Sequence, residues 1–246
     1  KHIPKEDIPN AHHWLLLHGR YVCKSEINSL KKLNYEIIKI PKDSNLYEAI
    51  NGHTDIQLNI LNNHSKTVII NKNIDLSFKK LLKEKNINFI ESDSTLSSKY
   101  PNNISLNAYI TDNYLIHNLD FTDKKILDYC KNKKTINVKQ GYTKCSILPV
   151  KENAIITNDK GIYDTLKNEN FDILLLPFGD IELSGFNYGF IGGVGGMISD
   201  NSMAFFGSLD NYIFGNEVKK FLYKYDVKPI YLNNTKLIDR GSLLVL

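Results

Sequence analysis

The sequence predicts an α/β protein built from five repeated ββαβ units that close into a ring. An apolar run that ends in a small polar turn and continues into a helical pattern occurs five times along the chain. A β-branched run follows each helical pattern, and a turn with a further strand follows that run. Such internal periodicity indicates a repeat architecture. The third observation is that the last strand, within "IDRGSLLVL", has no partner downstream of it.

Each unit combines a short apolar run, which suits a buried strand, with a helix whose apolar residues recur every three or four positions. In the last unit this helical spacing is carried by Val218, Phe221, Leu222 and Tyr225. The apolar runs end at His18, Asn71, His117, Thr157 and Gly207. We expect one domain over residues 1–246, with units at approximately 14–66, 67–112, 113–152, 153–201 and 202–246.

Ring closure follows from the unpaired last strand. Its hairpin partner should be the first strand, "HHWLLLHG", so that residues 243–246 lie beside residues 15–17. Such pairing leaves no open sheet edge. In a closed ring, the turn phrases that precede the inner strands face one another. The sequence therefore predicts that His53, Asp55, Cys145, Tyr188 and Asp239 surround one cavity.

Composition argues against several classes of protein. The 246 residues are 42% hydrophobic and carry a formal net charge of +4, but the lysines are dispersed over helices and turns. Arginine occurs only at Arg20 and Arg240, which argues against a nucleic-acid partner. No run of eighteen apolar residues and no basic, apolar leader is present, so we expect a cytoplasmic protein without a membrane partner.

The cysteines and glycines do not predict a metal or a nucleotide cofactor. The chain has an odd number of cysteines, and none of them has CxxC spacing, so neither a disulfide framework nor a zinc site is expected. The three are Cys23, Cys130 and Cys145. Cys130 fits a helix core position and Cys23 a helix start. The phrase "GFNYGFIGGVGGMIS" fails the GxGxxG pattern and is interpreted as the hairpin of the fourth unit, whose glycines permit close packing or an opening onto the channel.

The repeat grammar resembles that of the pentein, or guanidine-modifying-enzyme, fold. That fold includes arginine and agmatine deiminases, amidinotransferases and dimethylarginine hydrolases. More narrowly, the phrases "GHTDIQ", "GYTKC", "GFNYGFIGG" and "DRGSLLVL" resemble a bacterial branch of the fold to which no activity is assigned. The resemblance implies a five-fold pseudo-symmetric α/β propeller around a central channel. It also implies a small guanidine or amidine substrate and no cofactor.

The resemblance also implies roles for individual residues. Characterised enzymes carry an H-x-D phrase, matched here by His53 and Asp55, and a nucleophilic cysteine that the unit count matches to Cys145. His53 would be the general acid and base, Asp55 an orienting or substrate-binding carboxylate, and Lys144 a cation that lowers the thiol pKa. Asp239, Tyr188, Lys144 and Arg240 would contact the substrate. The enzymes usually place their cysteine near the C-terminus, where this chain has Gly241 and Ser242.

Structural explanations remain open beside the functional ones. Cys145 fits a buried apolar position, His53 and Asp55 fit a hydrogen-bonded turn, and Asp239 fits a turn that Arg240 neutralises. Asp159 fits the N-cap of the following helix.

Three functions follow from these interpretations. The first is a cysteine-dependent hydrolase (deiminase-like) or amidinotransferase-like enzyme, active or degenerate. The second is a non-catalytic binding or interaction module, as in the ribosome anti-association initiation factor of this fold. The third is a small-molecule binder. The oligomeric state is left open.

Overall fold

The computed structural model describes the backbone of residues 14–17 and the whole of residues 22–246. His18, the predicted end of the first apolar run, and Arg20 lie outside the described residues. The strands are β1 (Trp14–Leu17), β2 (Glu36–Lys39), β3 (Leu58–Asn62), β4 (Thr67–Ile70), β5 (Asn88–Glu91), β6 (Tyr109–Ile110), β7 (Tyr114–His117), β8 (Lys134–Asn137), β9 (Ile147–Lys151), β10 (Ala154–Thr157), β11 (Asp172–Leu175), β12 (Gly195–Ser199), β13 (Ser202–Phe205), β14 (Lys228–Tyr231) and β15 (Leu244–Val245).

The described strands form five small sheets of three strands each. Their orders are β15-β1-β2, β3-β4-β5, β6-β7-β8, β9-β10-β11 and β12-β13-β14. In every sheet the central strand pairs antiparallel with the first strand and parallel with the third. The molecule is therefore a mixed α/β fold in which one arrangement recurs five times.

A helix connects the two parallel strands of each sheet, because parallel neighbours cannot be joined by a tight turn. The apolar spacing of Val218 and Leu222 predicted the last of these helices, and both side chains are fully buried. Asp159 accepts a hydrogen bond from the backbone N–H of Ile162 at 2.8 Å, so it caps its helix as predicted. The connecting helices are α1 (Lys24–Lys32), α3 (Leu76–Glu84), α4 (Lys124–Tyr129), α6 (Lys160–Leu166) and α7 (Gly215–Lys224).

Strand β15 belongs to the same sheet as β1, although the two lie at opposite ends of the chain. Leu15 is paired with Val245 and Leu16 with Leu244, in antiparallel register, as the unpaired last strand predicted. Apolar packing holds this segment on both sides. Leu246 lies in one core cluster with Leu58 and Ile70, whereas Leu243 lies in another with Leu30 and Phe206.

Two further one-turn helices, α2 (Thr54–Gln57) and α5 (Thr143–Ser146), stand before the first strands of their sheets, β3 and β9. All eight of their side chains are buried. These helices are the structural form of the repeated phrases "GHTDIQ" and "GYTKC", which the sequence predicted as turns. Among the described helices, none combines the length and the apolar character required to cross a membrane.

Candidate active site

Helices α2 and α5 bring His53, Asp55 and Cys145 to one place. His53 occupies the N-cap of α2, Asp55 its first turn, and Cys145 lies in α5. His53 and Cys145 line the same cavity, which has a volume of about 340 Å³, and Asp55 lies beside it. The juxtaposition that the repeated phrases predicted is therefore present in the structure.

Asn107 joins the two helices. Its side-chain amide donates hydrogen bonds to the carbonyl oxygen of Asp55 at 2.7 Å and to Cys145 Sγ at 3.1 Å. Its Oδ1 accepts from the backbone N–H of Cys145 at 3.1 Å, and its carbonyl oxygen accepts from the N–H of Lys144 at 3.0 Å. The sequence analysis missed this residue. The signal was available, because Asn107 lies in "PNNISLNAYI", the phrase of the second unit that corresponds to "GHTDIQ" and "GYTKC".

Two carboxylates flank the imidazole of His53. Nδ1 of His53 lies 3.8 Å from Asp239 Oδ1 and 4.0 Å from Asp55 Oδ1. Asp239 is fixed by two backbone donors, the N–H groups of Phe190 at 2.9 Å and of Gly241 at 3.0 Å. Asp239 therefore stabilises the last turn, which was the structural role expected for it, and it also lines the cavity.

Glycines permit this close approach. A Cβ on Gly193 would lie 1.8 Å from Asp239 Oδ1, and a Cβ on Gly241 would lie 2.4 Å from His53 Cβ. Gly241 also has a φ of +76°, which disfavours any residue with a side chain. The glycine-rich phrase of the fourth unit thus provides close packing against the site, one of the two roles expected for it.

Lys144 is connected to Asp55 through the hydroxyl of Ser242. Its Nζ donates to Ser242 Oγ at 3.0 Å, and that hydroxyl lies 2.6 Å from Asp55 Oδ2 and 2.8 Å from the carbonyl oxygen of Gly192. Ser242 is fully buried and has a φ of +66°. The ammonium group is therefore hydrogen-bonded on the Asp55 side of the site, in a chain of buried polar groups, and Lys144 does not line the cavity that contains Cys145.

Arg240 does not join the site either. Its Nη2 forms an ion pair with Glu26 Oε1 at 3.0 Å, and both side chains are buried. It lines a neighbouring cavity of about 670 Å³, which contains Asp239 but neither Cys145 nor His53. The structure thus gives no support to the expected substrate contact of Arg240. Its ion-pair partner is Glu26 rather than the adjacent Asp239.

Aromatic side chains line the outer part of the cavity that contains Cys145. Tyr188 was predicted to line it and does so, with 41% of its surface exposed, and Phe186 is 51% exposed. Because these rings are both exposed and cavity-lining, the cavity reaches the protein surface. The described lining residues are Tyr47, Ile50, His53, Ile56, Tyr142, Cys145, Leu183, Phe186, Asn187, Tyr188, Phe190 and Asp239.

Burial dominates the protonation of these groups. It raises the pKa of the Cys145 thiol well above its usual value, and the nearby carboxylates of Asp55 and Asp239 raise it further. The thiol pKa is therefore raised overall, so the lowering expected from Lys144 does not dominate. Burial also lowers the pKa of His53 to about 4 and raises that of Asp239 to about 6. At neutral pH the site holds a thiol, a neutral imidazole and an ionised Asp239.

The fold is similar to that of several solved structures. One is SxtG, an amidinotransferase from Microseira wollei, at 9% identity and a TM-score of 0.53 over 87% of this chain and 73% of that chain. A second is the inosamine-phosphate amidinotransferase StrB1 from Streptomyces griseus, at 12% identity and a TM-score of 0.54 over 88% of this chain and 76% of that one. A third is DDAH from Pseudomonas aeruginosa, at 7% identity and a TM-score of 0.52 over 89% of this chain and 91% of that one.

These similarities confirm the pentein, or guanidine-modifying-enzyme, fold that the repeat grammar indicated. At such low identities they establish the fold alone. A comparison with curated protein sequences finds no significant match. Residues 19–244 match a protein family described as "Family of unknown function (DUF6873)", and the chain belongs to that family.

Proposed function

We propose that the protein is a cysteine-dependent enzyme that acts on a C–N bond of a small guanidine or amidine. The observation that carries this proposal is the single surface-reaching cavity lined by Cys145, His53 and Asp239, with Asp55 beside it. A guanidinium ion is planar and cationic, and carboxylates are its natural partners. A nucleophile and a proton-transfer group in the same cavity complete the set that such a reaction requires.

The arrangement of the sheets is part of this proposal. We propose a five-fold pseudo-symmetric propeller of one domain, in which β3, β6, β9, β12 and β15 surround a central channel. Residues of all five strands line a single cavity of about 470 Å³, which supports this arrangement. The strand order within each sheet is the same, which a rotational repeat requires. Each blade takes its first strand from the preceding repeat unit, because β3, for example, lies in unit 14–66 but pairs with β4 of unit 67–112.

The chemistry begins with transfer of the Cys145 proton to neutral His53. The sulfur then forms a bond to the central carbon of the guanidine, and one C–N π electron pair moves onto nitrogen. Cleavage of a C–N bond releases an amine, which takes the proton from His53. Attack by water on the carbon of this S-alkylisothiourea intermediate, with cleavage of the C–S bond, gives a ureido product in a hydrolase. Attack by an acceptor amine gives a new guanidine in a transferase, and in either case the departing sulfur takes up a proton to restore the thiol.

Substrate charge explains how a thiol with a raised pKa becomes reactive. Burial and two neighbouring carboxylates disfavour the thiolate in the resting site. A bound guanidinium offsets those negative charges at short range in a poorly solvated cavity, where electrostatic interactions are strong. Binding of the substrate therefore favours thiolate formation. The same argument predicts that a neutral urea analogue is not activated.

A second candidate is a binder that holds an organic cation without reacting. The burial of Cys145, which is 3% exposed, and its raised thiol pKa favour this alternative. The chain also carries Ser242 rather than a cysteine in its C-terminal turn. A non-catalytic interaction module is a third proposal, which rests on the fold alone. We place the protein in the cytoplasm, consistent with its free cysteines.

The test is turnover of a panel of guanidines and amidines, measured by the release of ammonia, amines and ureido products. A second set of reactions includes acceptor amines to detect transfer. The Cys145→Ala variant should lose at least a thousandfold in rate, whereas Cys23→Ala should keep full activity, because Cys23 is exposed and does not line the cavity. Activity that survives in Cys145→Ala would refute the nucleophile, and binding without any turnover would favour the second candidate.

A further inference from the structure

The cavity that contains Cys145 has two chemically different ends, and this difference bears on the substrate. The inner end carries His53, Asp239 and, beside them, Asp55. The outer end is lined by aromatic and aliphatic side chains that carry no formal charge. The inference drawn from this division rests on the proposed function, since it concerns the substrate class of the same site.

The inner end is built to receive a cation. Asp55 is 1% exposed, and its Oδ1 is a buried oxygen that accepts no hydrogen bond from the described residues. A buried acceptor of this kind carries a substantial free-energy penalty unless a ligand satisfies it. Its other oxygen is held by Ser242, and Asp55 lies behind His53 rather than in the cavity lining, so its charge acts on a ligand from the second layer of the site. Asp239 presents a second carboxylate on the other side of His53, at 3.8 Å from the ring.

The outer end forms an aromatic wall. Tyr47 lies 5.6 Å from Phe186, and Tyr142 lies 6.0 Å from Phe190, measured between ring centroids. Tyr188, also at the rim, stacks at 4.9 Å on Phe178, which lies outside the lining. Leu183 and Ile50 complete the apolar surface. Rings of this kind accept alkyl and aryl groups, and they tolerate cations better than anions.

We propose that the substrate is a guanidinium or amidinium ion with an apolar, uncharged tail, rather than an amino acid. The cationic group lies at the carboxylate end and the tail lies against the wall of Tyr47, Tyr142, Phe186 and Phe190. A tail carboxylate would be desolvated against these rings and repelled by Asp55 and Asp239. No lysine or arginine is among the lining residues in the described part of the chain.

The cavity volume sets the size of the tail. At about 340 Å³ it lies near the lower end of the range for small-molecule sites. A guanidine with an aliphatic chain of about four carbons, or with one aryl ring, suits that space. Because burial of one methylene group favours binding, each added carbon should tighten binding about fourfold until the wall is covered.

The experiment measures binding to Cys145→Ala by calorimetry, so that its result does not depend on turnover. The ligands are butylguanidine, agmatine and arginine, which share a four-carbon chain and differ only by an amine and a carboxylate. Butylguanidine should bind at least tenfold more tightly than arginine and more tightly than agmatine. From methylguanidine to butylguanidine, affinity should rise about fourfold per methylene.

A variant pair locates the tail. Phe186→Ala removes a half-exposed ring from the wall, and Phe121→Ala removes a similarly exposed ring that does not line the cavity. The ratio of butylguanidine to methylguanidine affinity should fall at least threefold in Phe186→Ala and stay unchanged in Phe121→Ala. Thermal melting confirms that both variants are folded.

The outcomes separate this inference from the proposed function. Arginine or agmatine binding as tightly as butylguanidine would overturn the inference, as would affinity that is independent of chain length or no guanidine binding at all. An unchanged affinity ratio in Phe186→Ala would also overturn it. If the affinity series holds while the wild-type protein turns over none of the ligands, the substrate class stands as a ligand class and only the enzymatic function fails.

Discussion

Replacement of Asn107 by alanine should open the site specifically around Cys145. The variant leaves two buried backbone groups without their partner, the N–H of Cys145 and the carbonyl oxygen of Asp55. Each buried polar group left unsatisfied costs about 1 to 3 kcal/mol, so the junction between α2 and α5 should weaken by roughly 2 to 6 kcal/mol. At the lower figure, the open state of the junction becomes roughly thirtyfold more populated.

The assay is the rate of iodoacetamide labelling at Cys145, followed by mass spectrometry, with exposed Cys23 as an internal reference. Asn158→Ala is the matched control, because the side chain of Asn158 also bonds two backbone groups. It donates to the carbonyl oxygen of Pro177 at 2.9 Å and accepts from the N–H of Ile191 at 3.0 Å. Both variants should lose similar global stability in urea. Labelling of Cys145 should accelerate about thirtyfold only in Asn107→Ala, and equal acceleration in both would refute the role assigned to Asn107.

Two further predictions concern the backbone and the pH dependence of stability. Gly241→Ala should destabilise the protein by more than Gly179→Ala and should abolish guanidine binding. Both glycines have a positive φ, but only at Gly241 would an added Cβ meet His53. Urea unfolding would measure the loss of stability and calorimetry the loss of binding, and equal losses of stability in the two variants would contradict the prediction. Burial lowers the pKa of His117 to about 4, whereas an unfolded histidine has a pKa of about 6.5. Between pH 6.5 and 4 the unfolded chain therefore binds a proton that the folded chain does not. The free energy of unfolding should fall by about 3 kcal/mol as the pH falls through that window. His117→Gln should remove that part of the acid sensitivity in urea titrations, and an unchanged profile would contradict this assignment.

The repeats could be predicted because the pattern of each one depends only on residues that are close together in the sequence. A strand, a helix with apolar spacing and a second strand need no distant information, and this pattern in "SMAFFGSLDNYIFGNEVKKFLYKYDVKPIYL" gave α7 between β13 and β14. The pairing of β15 with β1 was predictable for a different reason, since it was the one strand left without a neighbour. The one-turn helices α2 and α5 were not predicted, because four residues are too few to show helical periodicity.

The residues of the candidate site also fall into those that the sequence could predict and those that it could not. His53, Asp55 and Cys145 stood out because their side chains are chemically distinctive and occur in matching phrases. Asn107 has an amide that carries no catalytic signature, so its bridging position became visible only in three dimensions. Arg240 was placed beside Asp239 by sequence adjacency, but its partner is Glu26, which lies 214 residues earlier. The side-chain direction of Lys144 likewise depends on Ser242, 98 residues away.

Residues 239–245 supply both a strand and part of the lining of the cavity that contains Cys145. Asp239 faces His53, Ser242 contacts Asp55, and β15 pairs with β1 from the same short stretch of chain. These residues leave the ribosome after His53 and Cys145, because synthesis runs from the N-terminus. A growing chain therefore carries Cys145 and His53 before Asp239 is synthesised, and the lining of the cavity that contains Cys145 is completed only after residue 239 has emerged.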